Sequence, residues 1–176
     1  MPTIEAISTT YLEADAASVT FSSIPATYEH LQLRFSPRST SSGAGHLIMY
    51  IQFGTGGGAV DTGTNYSTHY MRGTGTTADA SAVTGAAYTS PVRMVQAGEV
   101  ATLYSPTVVD ILDYANANKN TTIMAVTSAM DAGSYPELGF GSGLWDATGA
   151  VDRIKLSHAS SFTRGSEFTL YGLKSS

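Results

Sequence analysis

The sequence predicts an all-β protein, a jelly-roll-like β-sandwich of roughly nine or ten antiparallel strands, on three grounds. Apolar and polar side chains alternate with period two in one segment after another. The joints between those segments are built from Gly, Pro, Asn and Ser, which turns use for positive φ, fixed φ or local hydrogen bonds. Helical patterning is thin: the best segment, DILDYANANKN, reads as a single turn after a strand.

Taken in order, the first strand is expected within IEAISTTYLE (4–13). SVTFS (18–22) directs Val19 and Phe21 inward and Ser18, Thr20 and Ser22 outward. In YEHLQLRFS (28–36), Leu31, Leu33 and Phe35 alternate with Gln32 and Arg34. HLIMYIQF (46–53) places Leu47, Met49, Ile51 and Phe53 on one face and Ile48, Tyr50 and Gln52 on the other. SPTVVDILDYA (105–115) and TTIMAVTSAM (121–130) are further β-rich runs. ELGFGSGLW (137–145) is a shorter one, and its glycines suggest a bend or bulge. DRIKLSH sets Ile154 and Leu156 against Arg153 and Lys155; SEFTLYGLK sets Phe168 and Leu170 against Thr169 and Tyr171. Each alternating strand turns one face to a core, and a sheet with one apolar face needs a second layer. The 176 residues fit one such domain, spanning 1–176.

Residues 54–87 stand apart, rich in Gly and Thr, without lysine, and with few large apolar groups beyond Tyr66, Tyr70 and Met71. They are expected to form one long surface loop, ordered on contact with a partner, whose removal over 56–80 leaves the fold intact.

Composition narrows the function. Charged residues make up 13% of the chain, while Ser and Thr together make up a quarter, so hydroxyls must wet much of the surface. Such a surface suits packing against another protein. The net charge of −5 with scattered arginines gives no basic stripe for nucleic acid. No apolar run approaches the roughly 18 residues that span a bilayer, so no membrane is expected, and no signal peptide is visible. The absence of cysteine excludes disulfides and thiolate metal sites.

The glycine-rich stretch GTGGGAVDTGTN lacks the lysine and the following helix of a phosphate-binding loop, and the βαβ unit of a dinucleotide site. Asp61 has no acidic neighbours at alternate positions, so it does not make a calcium loop, and no metal or cofactor is expected. His30, His46, His69 and His158 are far apart and read as surface or interface imidazoles; no G-x-S-x-G elbow exists. Asp110 and Asp113 would point to opposite faces of a strand and cannot share a glycoside. Trp145 either closes the core edge or stacks on a sugar, and Tyr66, Tyr70 and Tyr88, within the expected loop, are the candidate contact aromatics.

Three phrases taken together, YLEADAASVTFSSIPATYEHLQLRFSPRS, VDILDYANANKNTTI and LWDATGAVDRIKLSHASSFTRGSEFTLYGLK, resemble small structural proteins of tailed-bacteriophage virions. That family includes head decoration (cement) proteins and modules of tails and fibres. The resemblance implies a jelly-roll-like fold, self-association as a homotrimer and no enzymatic activity. It also implies that Phe168, Leu170 and Tyr171 pack the sandwich in the final strand, and that GLW and VDRIKL are paired strands. The expected function is a capsid decoration protein on the outer surface of the virion, stabilising junctions between subunits of the major capsid protein. Its contacts are expected at Pro2, Thr3, Ile4 and Ile7 and at Asn65, Tyr66, His69, Tyr70 and Arg72. The alternative is a tail or fibre module that binds a carbohydrate or receptor through Trp145 and the tyrosines; a hydrolase assembled from distant His and Asp residues is the third reading.

Overall fold

A computed structural model describes residues 3–43, 45–129 and 136–174. They form twelve strands: β1 (Thr3–Tyr11), β2 (Ala16–Phe21), β3 (His30–Ser36), β4 (His46–Gly54), β5 (Tyr66–Thr74), β6 (Thr77–Ala86), β7 (Thr89–Val95), β8 (Thr107–Leu112), β9 (Asn120–Ala129), β10 (Glu137–Thr148), β11 (Arg153–Phe162) and β12 (Glu167–Lys174). Eight make a large sheet in the order β1-β12-β3-β8-β9-β10-β5-β6, and four a small one in the order β2-β11-β4-β7. All pairings between these strands are antiparallel. The chain crosses repeatedly between the sheets, and its first strands pair with its last, so the architecture is a jelly-roll-like β-sandwich.

The alternation read from the sequence does place the core. Val19 and Phe21, Leu31, Leu33 and Phe35, Met49, Ile51 and Phe53, Ile154 and Leu156, and Phe168 and Leu170 are all buried between the sheets. Two aromatic groups anchor it: Phe35, Phe162 and Phe168, with centroids 4.9–5.8 Å apart for the two contacts, and Phe53, Tyr66 and Trp145. Arg38 is buried too, and its guanidinium donates to the carbonyls of Ala97, Glu99, Val100 and Leu103 at 2.7–3.0 Å, clasping the connection after β7. A buried cation whose terminal N–H groups point at four carbonyls is a fastener, because those donors regain the hydrogen bonds lost to water.

The expectation of one loop over 54–87 is corrected. Only 55–65 is irregular; β5 and β6 form a hairpin that extends the large sheet. Glycine serves turns here: Gly75 (φ 56°) lies in the β5–β6 turn, and Gly85 (φ 66°) lies where the β5–β6 register shifts, between Tyr66 and Thr68. Deleting 56–80 would remove all of β5, the neighbour of β10, and the start of β6, together with the fully buried Tyr66, so the fold would not survive it. Two points of the resemblance are also corrected. GLW and VDRIKL lie in different sheets, since β10 sits between β9 and β5 while β11 sits between β2 and β4. Tyr171 faces out from β12 beneath the Arg34 guanidinium, 5.0 Å from the ring centroid, so only Phe168 and Leu170 pack inward.

Candidate docking face

The outer face of the large sheet can be read off the strand registers. One row runs across all eight strands: Thr9, Thr169, Arg34, Val108, Val126, Phe140, Met71 and Ala80. The next row runs Tyr171, Gln32, Asp110, Met124, Ser142, His69 and Ala82. The face therefore has two halves. Over β12 and β3 it is polar: Arg34 Nε donates to Gln32 Oε1 at 2.7 Å, and Gln32 Nε2 donates to Asp110 Oδ1 at 2.7 Å. From β8 to β6 it is apolar. Val108, Val126, Met124, Leu138, Phe140 and Met71 each expose between 37% and 66% of their surface there, and in these rows the tract is bordered by Arg34, opposite Val108, and Asp110, opposite Met124.

Glycine in β10 explains how large side chains come to face water. Leu138 and Phe140 alternate with Gly139, Gly141 and Gly143, and the register with β9 is unbroken from Glu137 to Trp145, so the glycines make no bulge. They face inward because β7 of the small sheet presses against them. A Cβ on Gly141 would lie 2.5 Å from Pro91 Cβ and from Pro91 O, and one on Gly143 would lie 2.2 Å from Thr89 Oγ1. With no room inside, the alternate positions carry the bulk outside. The two sheets are joined here by hydroxyls: Thr68 bonds Thr89 at 2.9 Å, and Thr127 Oγ1 donates to Arg93 O at 3.0 Å.

Shallow grooves mark this face. One of about 450 Å³ lies on the seam between the halves, lined by Arg34, Ser36, Pro106, Val108, Val126 and Tyr171 among others. A second, of about 220 Å³, lies within the apolar half beside Met71, Met124 and Phe140. The opposite face of the molecule differs: Ser18, Thr20, Ser22, Arg153 and Lys155 make it polar and cationic.

The residues predicted as contacts do not form one patch. Thr3, Ile4 and Ile7 lie on β1, with five strands between it and β5, and Pro2 lies outside the described residues. Ile4 is exposed, whereas Ile7 packs partly against the core. Asn65 ends the 55–65 loop, its side-chain amide donating to Asp61 at 2.7 Å. Tyr66 is corrected from a contact aromatic to a core residue: it has no exposed surface, and burial pushes its hydroxyl up to about 12. Tyr70 accepts a 2.8 Å hydrogen bond from Arg93 Nη2. Among the predicted residues, His69 alone sits on the apolar outer face. Trp145 closes the core, and its indole nitrogen donates to Asp61 at 2.8 Å. Tyr88 stacks on Tyr50 at 3.8 Å.

Arg72 belongs to an ionic knot at the start of β10. Its guanidinium pairs with Asp79 at 2.6 and 2.8 Å and with buried Glu137 at 2.9 Å; Glu137 also meets His46 at 3.3 Å and Arg93 at 3.4 Å. Burial pushes the Glu137 carboxyl up, but the His46 contact and the two arginines outweigh it and hold the group below its ordinary value. His158 is thus buried and His46 half-buried with its side chain against Glu137, where surface or interface imidazoles were expected. Among the described residues no histidine hydrogen-bonds a serine or threonine hydroxyl, and no three His, Asp or Glu side chains converge as a metal set.

The signal for the apolar face was present in ELGFGSG. Glycine alternating with Leu and Phe means that either the glycines or the large residues face the core, and period alone does not say which. No family model matches the chain, and no curated protein matches it significantly. Among solved structures it is similar to the CBM40 of the Ruminococcus gnavus IT-sialidase bound to alpha2,3 sialyllactose, at 13% identity and a TM-score of 0.33, over 94% of this chain and 91% of that one. It is also similar to a chain of the infectious bursal disease virus Gx strain, at 12% identity and a TM-score of 0.19, over 98% of this chain and 39% of that one. Likenesses this weak carry no functional argument.

Proposed function

We propose that this chain is a non-enzymatic virion structural protein that docks onto a major capsid protein through the apolar half of its large sheet. One observation carries the reading: Val108, Met124, Val126, Leu138, Phe140 and Met71 form an uncharged tract on an outer face that no second layer covers. At about 4.8 Å between strands, five strands span about 24 Å, and seven residues of β10 run about 20 Å. The tract therefore offers on the order of 500 Å² per partner, more than half of the roughly 800 Å² a stable interface buries on each side. Several copies engaging one shell would multiply such contacts into lasting attachment.

A sugar fits this face less well. Sugars need exposed aromatic plates ringed by hydrogen-bonding groups. Of the aromatics that favoured a glycan, Trp145 and Tyr66 are buried, half-buried Tyr70 and Tyr88 are engaged by Arg93 and Tyr50, and Phe140 has valine and methionine for its neighbours in register. The test mixes the purified protein with phage heads stripped of their outer proteins and reads occupancy by cosedimentation and negative-stain images. Saturable binding is expected, weakened at least tenfold by Phe140→Asp or Val126→Asp. Binding unaffected by either substitution, or no binding to heads beside a signal on a glycan array, would overturn the proposal.

A further inference from the structure

We infer that β6 is a self-association edge, pairing antiparallel with β6 of a second copy about a two-fold axis. This goes beyond the virion reading and does not depend on it. A sheet edge displays unpaired N–H and C=O groups, and proteins guard such edges with charges, proline, bulges or brevity. Three of the four edges here are guarded. β1 has a register break between Ala6 and Ser8 and carries Glu5. β2 is six residues long, and its ladder to β11 is broken between Ser157 and Phe162. β7 contains Pro91 and is capped at Val95 by a bridge to Arg38 and by Ser105.

β6 is the least guarded, because its one bulge, at Thr84 and Gly85, lies towards the end of the strand beyond Val83. It runs for ten residues, TADASAVTGA, and from Thr77 to Val83 its register with β5 is unbroken. It holds one charged residue, Asp79, which Arg72 neutralises through two hydrogen bonds. All of it except Ala86 is exposed, so β6 fills no core, and its place in the sheet rests on β5 alone. An outermost strand open on both faces is marginal in water until a further strand or layer covers it.

A second copy fits the vacant side by charge and by symmetry. The midpoint of the regular stretch is Ala80. A two-fold axis there, normal to the sheet, sets Ala80 opposite Ala80, Asp79 opposite Ser81, Ala78 opposite Ala82 and Thr77 opposite Val83 of the partner copy. No carboxylate meets another, and the alanines leave the backbones free to approach. Because the axis is normal to the sheet, both outer faces point the same way, and the apolar tracts become one surface. Head-to-tail pairing of β6 with the β1 edge of the next copy, the arrangement that could close a trimer, would meet the break at Ala6 and Ser8 and the Glu5 carboxylate. The edge thus favours a dimer over the expected homotrimer.

Light scattering during gel filtration should give twice the 18.4 kDa chain mass. The chain has no cysteine, so Ala80→Cys reports without background: mild oxidation should link it into dimers, while Thr9→Cys on the other edge stays monomeric on a denaturing gel. Ala78→Lys with Ala82→Lys puts ammonium groups face to face across the axis and should yield monomers with an unchanged far-ultraviolet spectrum. Phe140→Asp should keep the dimer while losing particle binding, which separates this inference from the docking reading. A monomeric or trimeric mass for the parent protein, or Ala80→Cys linking no faster than Thr9→Cys, would overturn it.

Discussion

At the β12–β3 end of the large sheet, Phe35, Phe168, Leu33 and Leu170 point inward while Arg34, Thr169 and Tyr171 point outward. At the β10–β5 end the order is reversed. Gly139, Gly141, Gly143 and Thr68 point inward, and Leu138, Phe140 and Met71 point outward. The same sheet is therefore held to its partner sheet in two ways. One end buries large side chains, and dispersion and the hydrophobic effect do the work. The other end brings backbones so close that hydroxyls and an ionic knot join the sheets, and the large apolar residues are left over for something outside.

Filling the close end should cause the largest loss. Gly141→Val would drive a side chain into Pro91, whose backbone oxygen stands 2.5 Å from the added Cβ, and neither strand can give way cheaply. A loss of about 3 kcal/mol or more is expected in the urea unfolding free energy. Gly73 lies on the outer face of β5 with nothing within 4 Å of its would-be Cβ, so Gly73→Val should change stability by less than about 0.5 kcal/mol. Equal losses at both positions would mean that the two faces of this end are not distinguished by packing.

Acid should act on the two ends in sequence. His158 lies against Phe162, near the aromatic group of the first end, and burial pulls its imidazole below the ordinary 6.5. The unfolded chain then takes up that proton first, so stability falls as pH drops below 6.5. Glu137 at the other end has its carboxyl held below the ordinary 4.5 despite burial. Its contribution is complete above that pH and is lost as pH falls further, through the folded value. His158→Gln should flatten the upper limb of the stability profile and leave the lower one. Glu137→Gln should shrink the lower limb, leaving the share of Asp61 and Asp113, whose carboxyls are also held below the ordinary value, and cost about 3 kcal/mol at neutral pH, since Arg93 and Arg72 lose their buried counter-charge. A single limb near pH 4 in the parent protein would refute the order.

The contrast between the ends also explains what could be read in advance. Nine strands announce themselves because their apolar residues alternate against charged or hydroxyl groups, as in LQLRF and DRIKL. β5, β6 and β7 do not. β6 is exposed on both faces, so nothing selects an alternating pattern; β7 holds a proline; β5 places Tyr66 and Thr68 inside among glycine and threonine. The apolar outer face was hidden for a related reason. Alternation defines two faces, but which one is the core depends on how closely the other sheet approaches, and that is a tertiary fact. The ionic knot joins residues from β4, β5, β6, β7 and β10, a convergence that no spacing along the chain announces.

A small effect on stability is expected even where the most apolar surface is altered. Val108, Met124, Val126 and Phe140 can all be replaced by threonine, which keeps strand propensity while removing most of the apolar character. Were these residues part of the fold's driving force, the change would cost several kcal/mol, as buried deletions do. They already expose between 37% and 66% of their surface in the folded chain, so the unfolding free energy should shift by no more than about 2 kcal/mol in all, with an unchanged denaturant slope. Binding to stripped heads should vanish in the same variant. A fall of more than about 2 kcal/mol would instead make the outer tract a support for the sheet. In that case the inside-out arrangement of β10 would be a packing solution and not a surface kept for a partner.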